Sequence, residues 1–446
     1  MAIQLSDHFT YKRLFRFTLP TIVMMIFTSI YGVVDGFFVS NYAGKTPFAA
    51  VNLIWPVIML LGAVGAMFGT GGAALIGKTM GEGDGEKANA IFSMLIYVTI
   101  GCGAVIALAG WRLMAPVARL MGAEGELLRE SVVYGRIILL SMPAFMLQYE
   151  FQCLFVTAEK PKLGLYVTVA AGVTNMVLDA LMVGVWRWGA AGAAIATALS
   201  QTVGGVVPLV YFGRKNGSRL RLGRCRVDGG ALFKCVTNGS SEFLSTISMS
   251  LVSMLYNVQL MRYAGENGVA AYGVLMYVSM VFQAIFIGYA VGTAPVVSYH
   301  FGAQNRDELK SLLGKTLKII AVAALCMFAA GQLLAVPLSR VFVGYDAALL
   351  AMTERAFMIY SFSFLFSGFC IFGSSFFTAL NDGLTSAVIS FLRTLVFQVA
   401  AVLLLPTVFE LDGVWLAIVA AEGLALGVTA LFLIGKREKY GYWPGK

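Results

Sequence analysis

Apolar residues gather in long runs near 14–39, 50–76, 89–110, 131–156, 163–186 and 190–212, separated by short clusters of Gly, Pro and charge. A second set follows near 235–262, 269–298, 316–336, 352–379, 385–407 and 413–435. A helix needs about 20 residues to cross a hydrocarbon core of ~30 Å, so every run is long enough for one crossing. The polar segment 213–234 is the longest connection and stands between the two sets. The pattern predicts an all-α polytopic membrane protein with 12 transmembrane helices in two pseudo-symmetric six-helix lobes, an N-lobe at 1–212 and a C-lobe at 235–446, joined by a cytoplasmic loop at 213–234.

The two sets are related to each other. At a constant offset of 221 residues, Ala43-Gly44 falls on Ala264-Gly265, Gly81 on Gly302, Pro116 with Arg119 on Pro337 with Arg340, Thr157-Ala158 on Thr378-Ala379, and Gly192 on Gly413. Matches at one offset across several connections signal an internal duplication. Units of six spans begin and end on the same membrane side, so the repeat is parallel and leaves a cleft between two similar bundles, a geometry suited to alternating access.

Composition agrees with a bilayer environment, since 59% of the 446 residues are hydrophobic and 12% are charged. The charged N-terminus, Met1 to Arg13, runs into the first apolar stretch without a small-residue cleavage site, which reads as a first span and not as a signal peptide. The six cysteines show no metal or disulfide spacing. A net charge of +9 could point to nucleic acid, but its distribution assigns it to membrane orientation. Twenty-one Lys and Arg, from Lys12 to Lys446, fall on the side of the N-terminus, and 7 fall on the other. Both termini are therefore expected in the cytoplasm, with the chain in the cell membrane.

Ionisable groups inside spans cost at least ~2.5 kcal/mol each and are functional candidates by default. Asp35 sits late in span 1, Asn175 and Asp179 late in span 5, and Thr197 early in span 6. Counted from the outward ends, they share a depth of roughly 9 to 12 Å. Asn175 and Asp179, four residues apart, lie on one helix face. Two carboxylates, an amide oxygen and a hydroxyl at one level suit Na+ or a carboxyl pair sharing a proton, so the four are candidate metal ligands if the coupling ion is Na+.

Glu242 in span 7 and Glu422 in span 12 either bind cationic substrate or pair with Arg393 in span 11. Glu150 in span 4 is expected to reach the interface or pair locally, and His300 to be solvated. Pro20 shares span 1 with Asp35 and is a hinge candidate. Tyr149, Tyr256 and Met276 are candidates for an adaptable cleft binding flat cations.

At these residues the chain resembles the MATE family of efflux transporters. The opening LPTIVMMIFTSIYGVVDGFFVSNYAG looks like the family's first span, and TNMVLDALMVGVWRWGAAGAAIATALSQ resembles spans 5 and 6 of the DinF-type branch. APVVSYHFGAQN is similar to the end of the family's span 8, and Glu242 matches a common acid of span 7. The resemblance implies efflux of diverse, often cationic, amphipathic compounds driven by inward flow of H+ or Na+, with no other cofactor. In one departure, span 10 lacks the mid-span carboxylate of NorM-type members, so coupling is expected to rest on the first lobe.

Small amphipathic molecules and the lipid bilayer are the expected partners, with no nucleic acid, and a monomer is expected. A lipid-linked saccharide flippase of the related superfamily would carry extra spans and a basic cleft, which are missing here. An intramembrane enzyme would carry HExxH, GxGD or a Ser-His constellation, also missing, so no enzyme activity is expected. A channel is the third alternative.

Overall fold

The computed structural model describes residues 3–443; Met1 and Lys446, the two chain ends in the sequence reading, lie outside them. Six spans form the first lobe: α1 (Tyr11–Ala43), α2 (Lys45–Gly81), α3 (Gly85–Leu120), α4 (Gly125–Leu140 and Met142–Thr157, bent by 57°), α5 (Pro161–Val185) and α6 (Gly189–Gly213). The bend in α4 falls at Ser141, just before Pro143, whose nitrogen has no hydrogen to donate to the carbonyl four residues back.

The next helix, Gly229–Gly302, is continuous by hydrogen bonding but contains 74 residues. A straight helix of that length would run roughly 110 Å, far more than a bilayer. It is broken at Gly265, where φ of 61° and ψ of −151° lie outside helical space in a region reserved for glycine. The limbs fold back on each other, which brings Tyr256 and Tyr272 into a stack with ring centroids 5.3 Å apart. The limbs are α7 (229–264) and α8 (266–302). They are followed by α9 (Arg306–Val343), α10 (Ala347–Ser361 and Phe364–Ala379, bent by 49°), α11 (Gly383–Leu404) and α12 (Pro406–Gly435). A single turn, Arg437–Tyr440, closes the second lobe.

Twelve spans in two sets of six agree with the apolar pattern. The helices overrun the apolar runs at many ends, as with α3 and α9, because a polar turn at the interface costs nothing to keep helical. The inter-lobe connection is accordingly shorter than its polar composition suggests, 214–228, since α7 starts at Gly229.

The duplication is visible in backbone detail. Gly44 before α2 and Gly265 before α8, 221 positions apart, both have positive φ, 96° and 61°. Asp84 caps α3 by accepting from the Lys87 amide, and Asn305, at the same offset, caps α9 by accepting from the Glu308 amide.

Backbone approaches between small residues join the lobes. A Cβ at Gly81 of α2 would collide with the Tyr299 carbonyl of α8, and one at Gly302 of α8 with the Lys78 carbonyl of α2. Gly71 of α2 lies against the backbone of Cys235 and Gly239 on α7, and Gly239 faces Met67 in return. Gly288 and Gly292 of α8 meet Ile22 and Thr18 of α1. In lipid, apolar side chains gain nothing by leaving hydrocarbon, so helices are held by such close packing. Apart from the midspan contacts of Gly288 and Gly292, these approaches lie toward the face where α1 starts and α12 ends, here called the terminal face. The lobes are closed there.

At the terminal face of the second lobe, Asp382 caps α11 and accepts from Lys436 Nζ at 2.6 Å, Tyr440 OH at 2.7 Å and Thr385 Oγ1 at 2.8 Å. Burial opposes its charge, but the hydrogen bonds from Lys436, Tyr440 and Thr385 outweigh it and hold the carboxyl below its ordinary value.

Two outcomes are expected. Gly81→Val should force α2 and α8 apart and lower the melting temperature of the purified protein, by about 1–3 kcal/mol of stability on the scale of core overpacking. Gly273→Ala, with no atom within 4 Å of the new methyl, should not lower it. A carboxyl with a depressed folded pKa stabilises the fold above its unfolded value and loses that contribution as pH falls through the folded one. The C-terminal turn should therefore resist proteolysis at neutral pH and loosen below pH ~4, and Asp382→Asn should remove the dependence.

Candidate functional site

Asp35 stands four positions before the π-helical turn Val39–Ala43 of α1, and Asp179 immediately before the π turn Ala180–Val185 of α5. A third such turn, Leu392–Val396 of α11, contains Arg393. A π turn makes i→i+5 bonds and is energetically disfavoured, so it persists where a site constrains the backbone. All three among the described residues fall beside an ionisable side chain.

Packing of α1 on α5 brings Asp35 within hydrogen-bonding reach of both Asp179 and Asn175. Asp179 is 0% and Asn175 2% exposed, and Asp35 is partly buried. Asp35 Oδ1, Asn175 Oδ1 and both carboxyl oxygens of Asp179 are sealed from solvent and have no hydrogen-bond partner. Two acidic groups and an amide thus meet with the Asn175 amide nitrogen as the one hydrogen-bond donor among the three side chains, and four of their oxygens are left unpaired, although unpaired buried oxygens are costly. This arrangement is able to hold a shared proton or a small hard cation bound by oxygen alone. Thr197, on α6, is partly buried, and no hydrogen bond among the described residues joins it to these three.

Two tyrosines stand beside the acids. Tyr31, one turn before Asp35, is within hydrogen-bonding reach of Gln148 on α4 and lies close to Tyr149. Tyr134, buried on the first limb of α4, is close to both carboxyls. The Tyr31–Asp35 spacing, one helical turn, was a legible signal. Tyr134 had none, because only the bend in α4 decides what its first limb faces.

In the second lobe Glu422 is buried and clasped by Arg393, whose Nε lies 3.0 and 2.9 Å from the two carboxyl oxygens, with a further contact of 2.9 Å from the guanidinium. Of the two roles open to it, Glu422 takes the ion pair. Glu242 on α7 is exposed, with Cys153 of the first lobe and Arg393 of the second as charged or thiol neighbours, so it faces the space between the lobes. Tyr256 is taken up by packing, since it stacks on Tyr272 and donates to Gln398 Oε1 at 2.9 Å. Met276 packs at the edge of the same second-lobe core. Tyr149 packs on Phe145, with its hydroxyl 3.7 Å from Met59 Sδ. Pro20 is buried in α1, which continues through it without a break.

Two expectations are corrected. Glu150 neither reaches the interface nor pairs: it is 0% exposed, and neither its two oxygens nor the Thr99 hydroxyl beside it has a hydrogen-bond partner. The cause is the close seat of α4 on α2, where Gly69 presses on the Glu150 backbone. His300 is not solvated. It is buried, and the Phe9 ring meets it edge-on.

The profile of the MatE family matches residues 20–181 and again 243–404, once in each lobe and over more than half of the chain. The chain belongs to the MatE family. Among curated relatives of this MatE-family chain is "Multidrug export protein MepA" of Staphylococcus saprophyticus, 24% identical, with 94% of this chain and 93% of that protein covered. The MepA protein of Staphylococcus aureus is 22% identical, with 96% and 94% covered. A solved structure described as an outward-facing conformation of a multidrug resistance MATE family transporter superposes with a TM-score of 0.93 at 24% identity, covering 98% of each chain. MATE structures described as straight and bent conformations give TM-scores of 0.91 and 0.89. The twelve-helix, two-lobe membrane fold of the MatE-family chain is thereby confirmed.

The Arg393–Glu422 clasp carries its own prediction. Glu422→Ala should leave the guanidinium buried without a counter-charge and destabilise the protein by about 3–5 kcal/mol. Thermal unfolding in detergent should show that Arg393→Met combined with Glu422→Ala recovers most of the loss.

Proposed function

We propose that this chain exports amphipathic, often cationic, compounds across the cell membrane by antiport against H+ or Na+. The observation that carries this reading is the meeting of Asp35, Asn175 and Asp179, from two helices, in a pocket where both Asp179 oxygens, Asp35 Oδ1 and Asn175 Oδ1 are buried and unpaired. Occupancy of that pocket by the coupling cation favours one arrangement of the lobes, and substrate in the cleft favours the other. The names of the relatives support export of drugs, and the two similar lobes support a rocking motion. Thr197 belongs to the proposed cation set through its depth on α6, and Glu242 to the substrate path through its position between the lobes.

In the same reading, 1–212 and 235–446 move as the two lobes and 213–234 links them in the cytoplasm. The excess of Lys and Arg on the connections of the N-terminal side of the sequence, 21 against 7, supports a cytoplasmic position for that side. A single copy holds the whole proposed site, so a monomer suffices.

Efflux from proteoliposomes with a pH gradient or a Na+ gradient imposed separately identifies the ion. Asp35→Asn and Asp179→Asn should each lower gradient-driven efflux by more than about tenfold, the equivalent of ~1.4 kcal/mol of coupling, with folding intact. Undiminished efflux in both variants would remove the carboxyl pair from the mechanism.

A further inference from the structure

The segment before α1 has no helix of its own, yet Leu5 and Phe9 are fully buried. Its first part is bonded to the first lobe. The Leu5 amide donates to Glu159 Oε1 at 2.8 Å, and Arg219 donates to Gln4 Oε1 at 3.2 Å while lying 3.7 Å from Glu159 Oε2. Its second part is bonded to the second lobe. The Phe9 amide donates to Glu308 Oε1 at 2.9 Å, His8 Nδ1 donates to Glu308 Oε2 at 2.6 Å, and Lys315 Nζ donates to the Phe9 carbonyl at 2.5 Å. The Phe9 ring meets His300 edge-on, and the Leu5 and Asp7 carbonyls lie near the same imidazole.

We infer that residues 4–9 are a strap that locks the lobes together at the terminal face, with Glu308 as its clasp on the second lobe. The inference rests on the alternating-access reading above. The strap joins α9 and the end of α8 to the α4–α5 loop, and so crosses the junction already closed by Gly81 and Gly302. The chain from Leu5 to His8 spans at most ~11 Å when extended, so wide separation of the lobes on this face requires Glu308 to let go.

The clasp is also absent from the symmetric scaffold. The first-lobe position equivalent to Glu308, 221 residues earlier, is Lys87, and among the described residues the C-terminal turn grips Asp382 of its own lobe. An attachment present once in a duplicated protein, and running between the copies, biases their relative position. Ordinary scaffolding would be expected in both lobes or within one. Glu308 is almost wholly buried, so a carboxylate deprived of its strap gains nothing by keeping the lobes shut.

Cys235, buried on α7 against Gly71, reports opening of this face. With the other five cysteines replaced by Ala, its rate of reaction with N-ethylmaleimide is measured in proteoliposomes, with and without an imposed gradient. Glu308→Ala and deletion of residues 1–9 should each raise the ungraded rate about tenfold, and Glu308→Gln, which keeps one acceptor, by less. Asp307→Asn, at a fully exposed neighbour, should leave it unchanged. A melting temperature for each variant separates unlocking from unfolding, and His8→Ala gives the milder test if the deletion does not fold. Unchanged rates in all strap variants, while the parent responds to a gradient, would overturn the strap. A parent indifferent to both gradients, with faster strap variants, would uphold the strap as a lock and count against gradient-driven alternation.

Discussion

Close approach of helix backbones at the junction of the lobes is the constraint on which the rest of the structure depends. Hydrocarbon solvates apolar side chains as well as the protein does, so burying them cannot by itself hold two bundles together. What remains is dense contact, and Gly71 on Gly239, Gly81 on Tyr299 and Gly302 on Lys78 allow it by removing the atoms that would intervene. A contact of this kind has few intermediate forms. It is made or it is not, which is the physical basis for two discrete arrangements of otherwise rigid lobes.

The ionisable residues are divided between the lobes in a way that follows from the same economy. In the second lobe the buried acid Glu422 is neutralised by Arg393, and the pair can stay in place through any movement. In the first lobe Asp35 and Asp179 have no such counter-charge. An uncompensated acidic pair in low dielectric must borrow a proton or a cation, and whatever it borrows becomes part of the packing between α1 and α5. Because α1 also packs on α8 through Thr18 and Ile22, the element carrying Asp35 is shared by the site and the lobe junction. That shared helix gives the proposed coupling a continuous physical route.

Segments outside the spans add an asymmetry that the duplication lacks. The two lobes repeat their turns and caps, as Gly44 with Gly265 and Asp84 with Asn305 show. The chain ends do not repeat. One grips Asp382 within its own lobe, and the other divides its bonds between Glu159 and Glu308 on opposite lobes.

Twelve spans, their division into two related sets and the depth of Asp35, Asn175 and Asp179 were all determined by the sequence. Hydrocarbon thickness sets the length of each apolar run, and the cost of a bare carboxyl in lipid marks the few polar positions that matter. Partnership was decided only by the tertiary structure. The pairing of Glu422 with Arg393, the isolation of Glu150, the burial of His300 and the approach of Tyr134 to the acids depend on the bend of α4, the seat of α2 on α8 and the path of residues 4–9. Hydropathy is a property of position along one helix, whereas a partner lies on another helix whose rotation and approach are set by packing, and no periodicity in the chain encodes that.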